Sequence, residues 1–208
     1  MSRTTSRREQ YSQATKAALL AAATRRFAEH GFSGTALEDV ATDIQATRGA
    51  VYHHFAGKAA LFEAVFEELE TAAVSRVVLA AETAGDAWQA AFLALDTFLD
   101  ICCDPAYGKI VWQEAPLALG WHRWHEQEEK FSYGLVERLL SGMMDAGMLV
   151  RQPLAATTRV TFAILGAAGL ALAEAANQDK PRVRAEYREL IQRMISGLRA
   201  EPVYSGPN

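Results

Sequence analysis

The sequence predicts an all-α chain of about nine helices, on three observations. Half of the 208 residues are hydrophobic, enough for a sizeable core. Alanine and leucine are frequent, and only six residues are proline. Apolar residues recur at helical spacing, and no stretch sustains the period-two alternation of a strand.

Residues 1–11 are polar and basic without periodicity and are expected to form a flexible arm. The first helix is expected from Ser12 to His30, with Leu19, Leu20, Ala23 and Phe27 on one side and Arg25, Arg26 and Glu29 on the other. Gly31 is placed to end it in the left-handed conformation, with Phe32 packing back on Phe27. Thr35 and Glu38 form a T-x-x-E capping box for a short second helix carrying Leu37, Val40, Ala41 and Ile44. Gln45-Ala46-Thr47 interrupts that pattern, and Thr47 can cap a third helix. There Val51 and Phe55 lie four apart and face inward, while Arg48 and Tyr52 share another face with Gly49 and His53 beside them. Ala56-Gly57 breaks this helix before Lys58.

A long helix is expected from Ala59 to Thr83, then one rich in aromatics with Trp88, Phe92, Phe98 and Leu99. Asp104-Pro105 starts a short helix, which Pro116 and Gly120 disturb. Residues from Trp121 to Ala146 read as helical, ending at Gly147. Pro153 starts an apolar helix to Asn177, and Pro181 starts the last one. The expected organisation is a basic arm at 1–11, a front domain at 12–58, a helical body at 59–200 and a loose tail at 201–208.

Charge separates the front from the body. Residues 1–58 contain eight basic and five acidic side chains, a net of +3, so a whole-chain charge of −4 leaves −7 for the rest. A basic head on an acidic body suggests two jobs on one chain. No apolar run precedes the first helix, so no signal peptide is expected. The apolar run Val160 to Ala173 falls short of the about 20 residues that span a bilayer, so no membrane partner is expected. Cys102 and Cys103 are neighbours and cannot staple distant segments, which fits a reduced, cytoplasmic compartment.

Two short helices joined by a tight turn, the second polar on its outer face, make a helix-turn-helix pattern. Such a pair sets its first helix across the backbone of duplex DNA and its second in the major groove. Gly49 and Ala50 are small enough for close approach to base edges, although Gly49 costs about 1 kcal/mol against alanine in a helix. Arg48 can donate two hydrogen bonds to guanine. Thr35, Thr47, Tyr52, His53 and Lys58 can donate to phosphates.

At this point the chain resembles the TetR family of one-component bacterial repressors. The resemblance rests on LLAAATRRFAEHGFSGTALEDVATDIQATRGAVYHHFAGKAALF at residues 19–62. Its most specific parts are the F-x-x-x-G-F-x-x-T entry at Phe27 to Thr35 and the stretch from Gly49 to Phe62. The resemblance implies phosphate contacts at Tyr52, His53 and Lys58, helix-end anchors at Thr35 and Thr47, and base-facing residues at Arg48, Gly49 and Ala50. Where the family usually has A-G-V-S at the turn, this chain has Ile44-Gln45-Ala46-Thr47. A glutamine in a left-handed turn position costs roughly 1 kcal/mol.

A metal site is the competing reading of His53-His54, but adjacent helical positions point about 100° apart and cannot easily share one ion. His122, His125 and Glu126 do fall on one helical face, yet the H-E-x-x-H pattern of zinc proteases is absent and no fourth ligand is near in sequence. No metal and no cofactor are expected.

Three of the four tryptophans lie between Trp112 and Trp124, in the segment disturbed by Pro116 and Gly120. Irregular helices pack imperfectly and leave cavities that small molecules fill. Trp88, Phe92, Cys102, Trp112, Trp121, Trp124 and Tyr133 are the candidate lining, with plain core packing as the alternative. The resemblance favours a pocket for a small-molecule effector. Between Val160 and Ala173 bulky residues mix with Gly166, Ala167, Ala168 and Gly169, and small residues let helices approach closely. Phe162, Gly166, Gly169, Leu170, Tyr187, Ile191, Met194 and Ile195 are the candidate homodimer interface, as the resemblance implies for the last two helices.

The expected function is a ligand-responsive, DNA-binding transcriptional regulator: a repressor released from a near-palindromic double-stranded operator when a small molecule binds the C-terminal domain. An enzyme is disfavoured, since there is no phosphate-cradling glycine loop and no nucleophile elbow. The alternative is a helical protein–protein adaptor.

Overall fold

The computed structural model describes residues 7–199, which form nine helices and no strand. The numbering is α1 Arg7–Gly34, α2 Leu37–Asp43, α3 Arg48–His54, α4 Lys58–Glu82 and α5 Ala87–Cys102. Helix α6 covers residues 105–118, with π-helical winding over Gly108–Glu114. Helix α7 covers residues 121–145, with a second π-helical stretch at Glu129–Tyr133. Helices α8 and α9 are Leu154–Glu174 and Lys180–Ser196. Both Gly120, between α6 and α7, and Gly147, after α7, take positive φ, at 82° and 69°.

The chain divides into two compact units, residues 1–70 with 105–125, and residues 71–104 with 126–208. The first unit is larger than the expected front domain because the motif alone cannot close its own core. Leu19, Ala22, Ala23 and Phe27 of α1 are buried, as are Leu37, Val40 and Ala41 of α2 and Val51 of α3. The start of α4 adds Leu61, Phe62 and Val65, and α6 adds Ile110, Val111 and Ala115. Phe62 meets Phe27 and Phe32 edge-on, with ring centroids 5.0 and 5.3 Å apart. Full burial of one such ring stabilises by about 1.5–3 kcal/mol. Arg26 of α1 grips Asp43 of α2 through two hydrogen bonds of 2.8 and 2.7 Å. At the far end of this unit, the Tyr107 hydroxyl donates to buried Glu70 at 2.5 Å.

Several expectations need correction. Helix α1 starts at Arg7, so Arg7 to Tyr11 are helical rather than part of an arm. No proline or glycine stands there to stop the helix, and lack of an apolar stripe removes packing without removing backbone hydrogen bonds. The rest of the arm and the tail from Glu201 lie outside the described residues. Gly31 does take a positive φ, but its φ/ψ of 71°/176° is the glycine-only extended region rather than the left-handed helical one. Phe32 still stacks on Phe27, with centroids 6.2 Å apart. The Thr35–Glu38 capping box does not form: α2 is preceded by Ala36 and has no side-chain cap. The Thr35 hydroxyl instead donates to the Gly31 carbonyl at 2.8 Å.

In the second unit, Leu140, Met143, Met144 and Leu149 form a buried cluster against which Trp88, Val136, Leu154 and Ile195 pack. Asp96 of α5 accepts from both Arg184 and Arg188 of α9, which ties those helices together. Helix α8 has 21 residues and is long and apolar enough to cross a membrane, so the sequence argument from length fails. Leu154 to Arg159 add turns ahead of the apolar run, and the run alone underestimated the helix.

At Gly31 a Cβ would also lie 2.8 Å from Glu114 Oε1. Gly31→Ala is therefore expected to lower unfolding free energy by about 1–3 kcal/mol, the cost of a disallowed backbone region, as measured by denaturant titration.

Candidate nucleic-acid interface

The turn between α2 and α3 is tight. Gln45 has φ 55° and is the positive-φ non-glycine residue of the described chain, as expected for its left-handed place. The Ala46 N–H then donates to the Ala41 carbonyl at 2.9 Å and closes the turn. Thr47 is the N-cap of α3, its hydroxyl accepting from the Ala50 N–H at 3.2 Å. Val51 and Phe55 are buried and anchor α3 from below. That leaves Arg48, Gly49, Tyr52 and His53 exposed together on the opposite side, with Ala50 half-buried.

Arg48 is held ready rather than loose. Its Nε lies 3.0 Å from Glu38 Oε1, and its guanidinium donates to the Tyr52 hydroxyl at 3.3 Å. The Tyr52 hydrogen bond and then the Glu38 charge raise the Arg48 pKa further, so this group stays charged. His53 and His54 are 5.1 Å apart, and burial, with the charges of His53 and Lys16, lowers the His54 pKa. A half-buried His54 that favours its neutral form covers the side of the module, whereas His53 is open to solvent.

Two residues expected to meet phosphate also have partners inside the protein. Thr35 is only 2% exposed, and its hydroxyl serves the Gly31 carbonyl. The Lys58 ammonium donates to the Phe32 carbonyl at 2.8 Å and sits 4.6 Å from the Phe32 ring centre. Both satisfy backbone carbonyls at the end of α1, a need that exists only once the kink at Gly31 is known. The partner that motif reasoning missed is Glu114 of α6, whose Oε2 accepts the Phe32 N–H at 2.8 Å. It lies 82 positions away in sequence, and no local signal connects the two.

The candidate pocket residues do not form one set. Trp112, Trp121 and Trp124 lie in the first unit, and Trp88, Phe92, Cys102 and Tyr133 in the second. Trp112 and Trp124 meet edge-on with centroids 5.9 Å apart and are only 5% and 8% exposed. Their indole N–H groups are buried and have no hydrogen-bond acceptor among the described residues. Trp121 is exposed and stacks on His125, a ring that sits outside rather than in a core. Trp88 stacks near Phe92 and under the Arg199 guanidinium, and Tyr133 packs on Phe162. Cys102 is buried. Among the described residues no group of three or more His, Cys, Asp or Glu is placed to hold a metal ion.

Of the candidate dimer residues, Leu170 and Met194 are exposed on α8 and α9, and Gly166 faces open space. Gly169 and Ile191 are buried within the chain, Ile195 packs on the Leu140 cluster, and Phe162 and Tyr187 are half-buried. Val160 and Leu190, which the sequence reading passed over, are 57% and 52% exposed.

A capped, solvent-facing helix set on a tight turn from another of equal length defines a helix-turn-helix regulator. Comparison with known proteins places it more closely. Residues 19–65 match the model of bacterial regulatory proteins of the tetR family, and residues 88–198 match a tetracyclin repressor-like C-terminal domain. The chain belongs to the TetR family. It is similar to a TetR-family transcriptional regulator from Pectobacterium atrosepticum, at 26% identity and a TM-score of 0.80, covering 95% of this chain and 99% of that one. FadR of Bacillus halodurans shares the fold at 18% identity and a TM-score of 0.70, covering 88% and 99%. In sequence the chain is 40% identical to the regulator TtgR of Pseudomonas putida over 63 residues, 30% of either protein. It is 22% identical to the Tn10 TetC protein of Escherichia coli over 123 residues, 59% of this chain. The match thus spans 62% of TetC and 30% of TtgR.

Thr47→Ala removes the α3 cap and is expected to cost about 1 kcal/mol of unfolding free energy, read by denaturant titration.

Proposed function

We propose that the chain is a homodimeric repressor that reads a near-palindromic operator through α3 and is released when a small molecule binds its helical body. Gly49 carries the DNA-reading part. A Cβ there would meet only Thr47 Oγ1 among the described residues, at an ordinary 3.7 Å, so none of them calls for glycine. Gly49 is the second residue of α3, where glycine costs up to about 1 kcal/mol against alanine, and an outside requirement, the approach of a groove wall, accounts for keeping it. Arg48 and Tyr52 flank it, and Thr47 and His53 stand where phosphates would pass.

Two matched heads fit a two-fold operator only if the chain pairs. Val160, Leu170, Leu190 and Met194 leave an apolar face on α8 and α9, and open space at Gly166 allows a second helix to come close. This reading assigns the apolar surface of α8 to a second subunit rather than to lipid, in agreement with the polar Thr157, Thr158 and Arg159 in its first turns. The effector reading is supported by the two unpartnered indole donors of Trp112 and Trp124. A buried N–H without an acceptor costs about 1–3 kcal/mol, and a bound molecule offering oxygen or nitrogen acceptors against aromatic walls would satisfy it. Such binding releases DNA only if it favours one arrangement of the heads over the other. The work is done in the cytoplasm, without cofactor.

Gly49→Ala is expected to stabilise the fold by up to about 1 kcal/mol while weakening duplex binding, a split seen by pairing thermal melts with gel-shift titration. Wild-type affinity should fall steeply between two salt concentrations, because binding releases counterions. An adaptor would show little duplex binding at either. Glu38→Gln frees Arg48 and removes a negative charge, and is expected to raise duplex affinity by up to about fivefold, the scale of an exposed ion pair. Sedimentation should find a dimer, and a monomer at micromolar concentration would sink the paired-head reading.

A further inference from the structure

The α1 kink leaves a backbone donor that α1 does not itself satisfy. Glu114 meets it from the end of the π-helical stretch of α6: one carboxylate oxygen accepts the Phe32 N–H at 2.8 Å, and the other lies 3.0 Å from Lys109 Nζ. The carboxylate fills the space beside Gly31, where a Cβ would lie 2.8 Å from it. At the next peptide along, Lys58 holds the Phe32 carbonyl at 2.8 Å. Phe32 is therefore gripped twice, by the first residue of α4 and by the last residue of the π-helical stretch. That stretch also carries Trp112, two positions before Glu114. A π-helical turn holds an extra residue per turn and is held by longer-range hydrogen bonds, so it has a ready alternative in ordinary α-helical winding. Rewinding it would shift Glu114 around the helix and withdraw the acceptor.

We propose that Glu114 is the positioning residue through which α6 sets the helix-turn-helix: its carboxylate, steadied by Lys109, fixes the Gly31–Phe32 kink to the segment that bears Trp112. The inference rests on the DNA-reading function above and assigns a residue to its regulation. Burial works to raise the Glu114 pKa, but the Phe32 N–H and the Lys109 ammonium overcome it and hold the group below the usual carboxylate range. The latch therefore stays charged at neutral pH. Because coupling is reciprocal, whatever moves α6 changes DNA affinity, and DNA binding must be felt at Trp112.

That reciprocity supplies a test without knowing the effector. The full chain is labelled with 5-fluorotryptophan, the four resonances are assigned by single Trp→Phe variants, and duplex fragments from beside its own gene are added. In the wild type the Trp112 resonance should move on duplex binding. In Glu114→Ala the duplex should bind at least about fivefold more weakly, and the Trp112 resonance should stay in place. Glu114→Gln keeps an acceptor oxygen for the Phe32 N–H and should restore most of the shift, which a merely folded-or-unfolded difference would not do. A Trp112 shift of equal size in Glu114→Ala, or duplex binding by the wild type with Trp112 unmoved, would overturn the latch alone. Failure of the wild type to bind any duplex would overturn the DNA-reading function and the latch with it.

Discussion

The two peptides that flank Phe32 are the constraint on which the front of this protein depends. A backbone that leaves a helix inside a packed unit exposes donors and acceptors that must be paired, because a buried unpaired group costs about 1–3 kcal/mol. Here the demand is met by three side chains from three places: Thr35 on the Gly31 carbonyl, Lys58 on the Phe32 carbonyl and Glu114 on the Phe32 N–H. Those bonds bring the start of α2, the start of α4 and the end of the α6 π-helical stretch to one point. The phenylalanine rings of Phe27, Phe32 and Phe62 supply the apolar side of the same junction.

From that junction the reading surface follows by short steps. Arg26 fixes α2 to α1 through Asp43, the Gln45 turn sets α3, and the Thr47 cap starts it. Val51 and Phe55 turn α3 so that Arg48, Gly49 and Tyr52 face outward. Arg48 is already ordered by Glu38 and Tyr52, which lowers the entropy it would lose on meeting a base.

The second unit is built on other terms. One of its buried clusters joins Leu140, Met143, Met144 and Leu149, and Asp96 of α5 pairs with Arg184 and Arg188 of α9. Its outer helices keep apolar side chains in view of solvent, an arrangement that a second copy would cover.

Sequence by itself determined what local spacing governs. The α3 stripe, the Thr47 cap, the strained Gln45 turn and the positive φ of Gly31 were all legible, because each depends on neighbours within a turn or two. So was the exposed set Arg48, Gly49, Tyr52 and His53, since it is what remains once Val51 and Phe55 point inward. Only the tertiary structure decided the tasks of Thr35 and Lys58. Their chemistry suits phosphate and carbonyl equally, and only packing shows that each also serves a carbonyl at the kink. It alone decided that Ile191 and Gly169 face their own chain, because periodicity marks an apolar face without saying which body covers it. Glu114 was invisible for the plainest reason: an acceptor 82 residues from its donor is placed by packing, and packing leaves no periodic trace in the chain.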